Sequence, residues 1–273
     1  MMYQWHYTLT DQRDLPPLLL LHGWLGSGRD YRPAIELLQD TFHCVTVDLP
    51  GHGQTQVLGD DRGYEFAATA GGMMQLLDRL QIDRCWIAGY SLGGRFALYL
   101  SLEFPDRFPV AILESASPGL ATASARQERR ERDRAIIQQL QTLDLSTFLD
   151  RWYQQPIFQG IRDTPDFPDL IRSRLANHPE LLAKSLQYAG LGEQPYLGDR
   201  LSHHRQPVML IVGEHDRKFV QLNAVMANHY QCSNLQIVPN CSHNIHYQQP
   251  SLWVDLVKST LTSNWWEKSR DRQ

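Results

Sequence analysis

A serine framed by glycines at the end of an apolar run constrains this 273-residue chain more than any other feature. Cys85-Trp86-Ile87-Ala88 leads into Gly89-Tyr90-Ser91-Leu92-Gly93-Gly94-Arg95, and the amphipathic Phe96-Ala97-Leu98-Tyr99-Leu100 follows. Strand, sharp turn and helix with a serine at the bend is the pattern of a nucleophile elbow. Glycines are needed because the serine is held in a strained backbone conformation, where a side chain at 89 or 93 would strike the adjoining strand or helix. The alternative is a turn serine that caps the next helix. Other parts of the chain argue against it.

Short apolar runs recur at Leu18 to Leu21, Cys44 to Val47, Cys85 to Ala88, Val110 to Leu113, Val208 to Val212 and Leu235 to Val238, with helical patterns between them. That alternation predicts an α/β fold, a mostly parallel central sheet flanked by crossover helices. His22-Gly23-Trp24, Asp48 to Gly53, Tyr90-Ser91 and Gly213-Glu214-His215-Asp216 each follow a run. They converge on the edge formed by the strands' carboxyl ends, where open parallel sheets bind ligands. From Ser117 to about Gln206 the spacing breaks, and Arg- and Gln-rich sequence with helical periodicity takes over. We expect one discontinuous core domain, residues 1–117 and 207–273, with a helical cap inserted over residues 118–206.

Composition narrows the function classes. With 42% apolar residues the chain can bury one large core, and its formal net charge of −4 disfavours nucleic acid as a partner. The N-terminus from Met1 to His6 lacks the charged start and apolar stretch of a signal peptide, and no later run reaches bilayer-spanning length. Cys44, Cys85, Cys232 and Cys241 are far apart, so neither a disulfide framework nor a metal site is expected, and a reducing cytoplasm fits best. No metal or cofactor is expected, no stable membrane insertion, and no repeat marks a solenoid. Oligomeric state has no signature in the chain.

A serine hydroxyl is a poor nucleophile or base at neutral pH and needs an imidazole to share its proton and an acid to fix the tautomer. Asp216 follows the fifth run and His243 the sixth, in the order Ser, Asp, His; Glu214 and His246 are the competing acid and base. Oxyanion donors in this arrangement are the backbone N–H groups of Leu92 and Trp24. His22, Asp48 and His52 read better as loop-organising residues. Arg95, one helical turn after Ser91, is either a cation facing the same cleft and awaiting an anion or an arginine reaching solvent. Residues 126–134 hold five arginines and three acids, mostly a solvated face with pairs such as Glu128 to Arg132. Trp152 is cap core or pocket wall.

Together Val47 to Gly53, Gly89 to Arg95, Ser117-Pro118-Gly119-Leu120, Glu128-Arg129-Arg130, Trp152-Tyr153-Gln154-Gln155-Pro156 and Gly213 to Phe219 resemble the 2-succinyl-6-hydroxy-2,4-cyclohexadiene-1-carboxylate synthase family, α/β-hydrolase-fold enzymes of menaquinone and phylloquinone biosynthesis. The first segment is common to many hydrolases; Arg95, the arginine cluster and the Trp-Tyr-Gln-Gln-Pro run are the family-specific ones. The resemblance implies a Ser91, Asp216, His243 triad, a pocket lined by Tyr90 and Trp152, and Arg95, Arg129 and Arg172 holding the carboxylates of a small tricarboxylate substrate. Spacing after Trp152 is shifted by about one residue, so Arg174 stands as the alternative to Arg172. Ser242 replaces the glycine that family patterns usually place before the histidine. The implied reaction is pyruvate elimination from a ring bearing a succinyl and an enolpyruvyl group, by proton abstraction and enolate stabilisation. An ester or carbon–carbon hydrolase, or an inert binding protein of the same fold, are the rival readings. Which quinone lies at the pathway's end stays open.

Overall fold

A computed structural model describes residues 2–230 and 233–262, so Met1 and Cys232 lie outside the described residues. Nine strands are described: β1 (Tyr3–Gln4), β2 (Tyr7–Leu9), β3 (Pro17–Leu21), β4 (His43–Val47), β5 (Gln56–Val57), β6 (Trp86–Tyr90), β7 (Ala111–Glu114), β8 (Val208–Gly213) and β9 (Ser233–Val238). Seven form one sheet in the order β2-β4-β3-β6-β7-β8-β9, with β1 and β5 in a small separate ribbon. All pairings in the large sheet are parallel except that of β2, which runs antiparallel along β4. The six other strands of the large sheet coincide with the six apolar runs to within two residues. The edge strand Tyr7-Thr8-Leu9 carries no such run, which is why the sequence did not announce it.

Burial explains the strand sequences. In β3, β4 and β8 nearly every residue is buried, the continuous apolar pattern of a sheet covered on both faces. Side chains alternate: Leu19 and Leu21 pack with Val45, Ile87 and the helix residues Met73 and Phe96, whereas Leu18 and Leu20 pack with Cys44, Ile112, Tyr31 and Trp253 on the other face. The helices concerned are α1 (Arg32–Leu38), α2 (Phe66–Arg79), α3 (Leu92–Glu103), α9 (Arg217–His229), α10 (Ile245–Gln248) and α11 (Pro250–Thr262).

Between β7 and β8 the described elements are helical only: α4 (Ala123–Thr142), α5 (Leu145–Trp152), α6 (Phe167–Leu175), α7 (Pro179–Ala189) and α8 (Gly198–Leu201), with short 3-10 turns such as Pro156–Phe158. Side-chain caps at Thr122 and Asp144 start α4 and α5. This insert has its own core of Leu140, Phe148, Leu149, Tyr153, Phe158 and Leu182, which also packs on Leu25 of the loop after β3. A second tie is polar: the two terminal Arg174 nitrogens each bond one Asp30 carboxylate oxygen at 2.7 Å, with both side chains buried. Among the described residues no helix is long and apolar enough to cross a membrane.

Candidate active site

Ser91 lies between β6 and α3 with φ 51° and ψ −105°, a region that disfavours any side chain. Its backbone is held by a bond from its N–H to the Glu114 carbonyl (2.9 Å), and its carbonyl accepts the Arg95 N–H (3.0 Å). The flanking glycines are steric necessities: a Cβ at Gly89 would lie 2.3 Å from the Gly93 carbonyl oxygen, and one at Gly93 would lie 2.0 Å from that of Leu21.

His243 Nε2 is 3.1 Å from Ser91 Oγ, and its Nδ1 is 2.5 Å from Asp216 Oδ2. An ionised carboxylate only accepts, so Nδ1 carries the proton and Nε2 is left to accept from the serine. Asp216 and His243 are both buried, and Asp216 also caps α9 by accepting the Phe219 N–H. Edges of Tyr90, Phe158 and Phe219 wall the imidazole at ring separations of 5.3, 6.0 and 4.6 Å. Its loop is fixed from the cap, where Ile157 accepts the His243 N–H at 3.1 Å. Ser242, in place of the usual glycine, is not among the described residues with positive φ, and its hydroxyl donates to Gln248 at 2.9 Å. The competitors have other duties. Glu214 is exposed and accepts the Asn240 N–H, while buried His246 bonds Glu114 at 2.9 Å.

The Leu92 N–H opens α3, so no helical bond uses it. Neither it nor the Trp24 N–H donates a hydrogen bond among the described residues. Trp24 sits under the cap: its indole donates to the Leu182 carbonyl, and its ring meets Trp152 edge-on at 4.7 Å. Trp152 in turn stacks on Phe148. Tyr90 is almost wholly buried, its ring between those of His243 and His246.

The arginines separate sharply. Arg95 is half-buried, its guanidinium donates to the Ala189 carbonyl (3.0 Å) and Gln194 Oε1 (3.4 Å), and it lies over the Phe66 ring. No carboxylate pairs with it among the described residues. Burial and the neighbouring Arg129 charge, only partly offset by Asp133, push its pKa down to about 9. Arg129 is half-buried and bonds buried Asp133 at 2.8 Å. Arg172 does not turn inward: its side chain is 75% exposed on α6 and pairs with exposed Asp169, because the helix turns that position to solvent. Arg174, two residues on, points inward, yet Asp30 neutralises it and the Tyr153 hydroxyl accepts from it. Arg132 pairs with Glu128 on the solvated face, as the spacing predicts. A cavity of about 610 Å³ is lined by Phe66, Arg130, Asp133, Arg134, Leu186 and Glu193; Phe66 lies under the Arg95 guanidinium, but neither Arg95 nor Ser91 is among the lining residues.

His22, Asp48 and His52 serve the loops. The Gly23 carbonyl must accept from His22 Nδ1, so Nε2 accepts the Leu49 N–H and the ring is neutral, in keeping with burial lowering its pKa. Asp48 accepts the Gly28 and Gln54 N–H groups and pairs with His6 at 2.8 Å. His52 packs edge-on against His22. Sequence reasoning missed Glu114 and Ser115, which contact both the Ser91 and the His243 segments. A strand-final acid looks like any polar strand end, and the only signal was His246, already a candidate for another role.

The profile of the family described as alpha/beta hydrolase fold matches residues 16–250, and the chain belongs to that family. Within it, the chain is 35% identical over 248 residues to the 2-succinyl-6-hydroxy-2,4-cyclohexadiene-1-carboxylate synthase of Pectobacterium atrosepticum, covering 90% of this chain and 94% of that protein. Against the enzyme of the same name from Yersinia pestis it is 34% identical, covering 91% and 88%. The structure of MenH from S. aureus superposes with a TM-score of 0.88 at 29% identity, covering 97% of this chain and 98% of that one. The chain belongs to the 2-succinyl-6-hydroxy-2,4-cyclohexadiene-1-carboxylate synthase family.

Proposed function

We propose that the protein is a carbon–oxygen lyase that eliminates pyruvate from 2-succinyl-5-enolpyruvyl-6-hydroxy-3-cyclohexene-1-carboxylate, giving 2-succinyl-6-hydroxy-2,4-cyclohexadiene-1-carboxylate. One observation carries the choice over a neutral-ester hydrolase: Arg95, one turn from Ser91, has neutral acceptors only and a depressed pKa. A half-buried cation with no carboxylate bonded to it, its charge only partly offset by Asp133, is stabilised by an incoming carboxylate, each charged hydrogen bond contributing about 1.5 to 3 kcal/mol. Arg129, sharing Asp133, is the second anchor. Arg172 is left out, because its guanidinium lies in solvent.

With the substrate so held, the Ser91 oxygen passes its proton to His243 Nε2 and takes the ring proton beside the succinyl ketone. The electron pair moves into the ketone, and the Trp24 and Leu92 N–H groups stabilise the enolate oxygen. Collapse of the enolate through the ring double bond forms the diene and breaks the bond to the enolpyruvyl oxygen. The imidazolium, stabilised by Asp216, returns its proton to the departing group, which leaves as pyruvate. Ser91 acts as a base and forms no acyl-enzyme. The helical segment 118–206 is the lid of this site, Trp152 and Tyr90 are walls, and the buried thiols of Cys44, Cys85 and Cys241 suit a cytoplasmic enzyme.

The test supplies purified protein with the enolpyruvyl precursor and follows pyruvate and diene absorbance together. Equal release of both, lost by a factor of about 10² to 10⁴ in Ser91→Ala, is the expected result. Rapid p-nitrophenyl ester turnover without pyruvate, or a trapped substrate adduct on Ser91, defeats the reading.

A further inference from the structure

The strand β7 ends on Glu114, and the chain bends through Ser115, a non-glycine residue with φ 49°. Both are buried to within 1%. A carboxylate in so apolar a strand end is costly unless its oxygens find donors. Here both do: Oε1 accepts the N–H groups of Ile245 (2.6 Å) and His246 (3.2 Å), and Oε2 bonds His246 Nδ1 at 2.9 Å. The neighbouring Ser115 hydroxyl donates to the His243 carbonyl at 2.9 Å. On its other side the same dipeptide holds the elbow, because the Glu114 carbonyl accepts the Ser91 N–H at 2.9 Å. Two consecutive residues therefore grip the serine and the histidine segments, which the sequence separates by 152 positions. The His246 ring completes the strut: it stacks on Tyr31 at 4.5 Å and lies 5.1 Å from the Tyr90 ring, which also meets the His243 ring at 5.3 Å.

We propose that Glu114 and Ser115 are positioning residues of the elimination, holding the loop that carries His243 at hydrogen-bond distance from Ser91. The proposal rests on the reading of Ser91 and His243 as the proton-transfer pair. Neither residue touches substrate. Their effect is on how often the 3.1 Å contact is made, and a misplacement of about 1 Å at a reacting pair reduces rate on the order of 10²-fold. Glu114→Gln keeps an acceptor for the two amides but turns an NH₂ group toward the Nδ1 proton of His246, loosening the strut without a change of volume. Ser115→Ala removes only the bond to the His243 carbonyl.

Kinetics of pyruvate release and the rate of Ser91 labelling by a fluorophosphonate are measured for wild type, Ser91→Ala, Ser115→Ala and Glu114→Gln, each scaled to folded protein from its unfolding curve. We expect kcat to fall roughly 3- to 10-fold in Ser115→Ala and 10- to 100-fold in Glu114→Gln. KM should stay within about twofold, and labelling should slow in parallel with kcat. Should Glu114→Gln fail to fold, Ser115→Ala carries the test, since it leaves the carboxylate network intact. Variants that melt earlier yet keep wild-type kcat and labelling per folded molecule overturn the proposal and leave a structural role only. If Ser91→Ala itself releases pyruvate at the wild-type rate, the proton-transfer reading falls first; if it is dead while both other variants are fully active, this proposal alone falls.

Discussion

Two arginines cross the seam between core and cap in opposite directions. Arg174 descends from α6 and meets Asp30 through two bonds of 2.7 Å, so its charge is cancelled where it is buried. Arg95 reaches up from α3 and meets a backbone carbonyl and an amide oxygen, so its charge is not cancelled. Their pKa values move oppositely: burial depresses both, but the Asp30 and Tyr153 charges and hydrogen bonds together more than reverse this for Arg174, while Arg129 adds to it for Arg95. The same side chain is a fastening at one place and, in the function proposed above, an anchor for a substrate anion at the other. What decides is whether the protein supplies the counter-charge itself.

The largest effect is expected at the fastening. Asp30→Ala strands a buried guanidinium and should lower stability in urea unfolding by about 3 to 5 kcal/mol. A double replacement by apolar residues, Asp30→Leu with Arg174→Met, should recover most of it. A loss below about 1 kcal/mol in the single variant shows that the pair does not hold the cap.

At Arg95 the balance reverses. Arg95→Met should leave stability unchanged or raise it, yet reduce kcat/KM for the enolpyruvyl substrate by about 10- to 150-fold, mainly through KM. Equal kinetics in the two enzymes contradict the anchoring role.

Titration sharpens the contrast further. The lowered Arg95 pKa of about 9 predicts that kcat/KM falls by up to tenfold per pH unit as pH rises above that point. Stability should move the other way. Because the folded pKa is below the unfolded value, the unfolded chain holds more protons above about 9, and the wild type should gain on Arg95→Met as pH rises through that point. A stability difference that stays flat across this window refutes the depressed pKa.

The smallest effect belongs to Arg172. Its exposed pair with Asp169 predicts a change within about 0.5 kcal/mol for Arg172→Ala and kinetics within about twofold of wild type. A large loss would mean that the cap rearranges to bring it inward.

How far these differences were legible in the chain depends on what sets each position. Ser91, Asp216 and His243 stand just beyond apolar runs, and a parallel sheet brings all such ends to one edge, so local pattern suffices to assemble them. Arg172 and Arg174 are both on α6, and their opposite fates follow from helix phase and from Asp30, a residue 144 positions away that no local pattern links to them. Glu114 and Ser115 escaped for the same reason, since their partners are 128 to 132 positions along the chain. The antiparallel edge strand β2 was missed because pairing with β4, and not an apolar run, makes Tyr7–Leu9 extended.

The most direct test is the structure of the Ser91→Ala enzyme with its tricarboxylate bound. Our account predicts a substrate carboxylate within about 3 Å of the Arg95 guanidinium, the ketone oxygen facing the Trp24 and Leu92 amides, and Arg174 still on Asp30. A substrate whose carboxylates all lie in solvent, with Arg95 unchanged on Ala189 and Gln194, contradicts it.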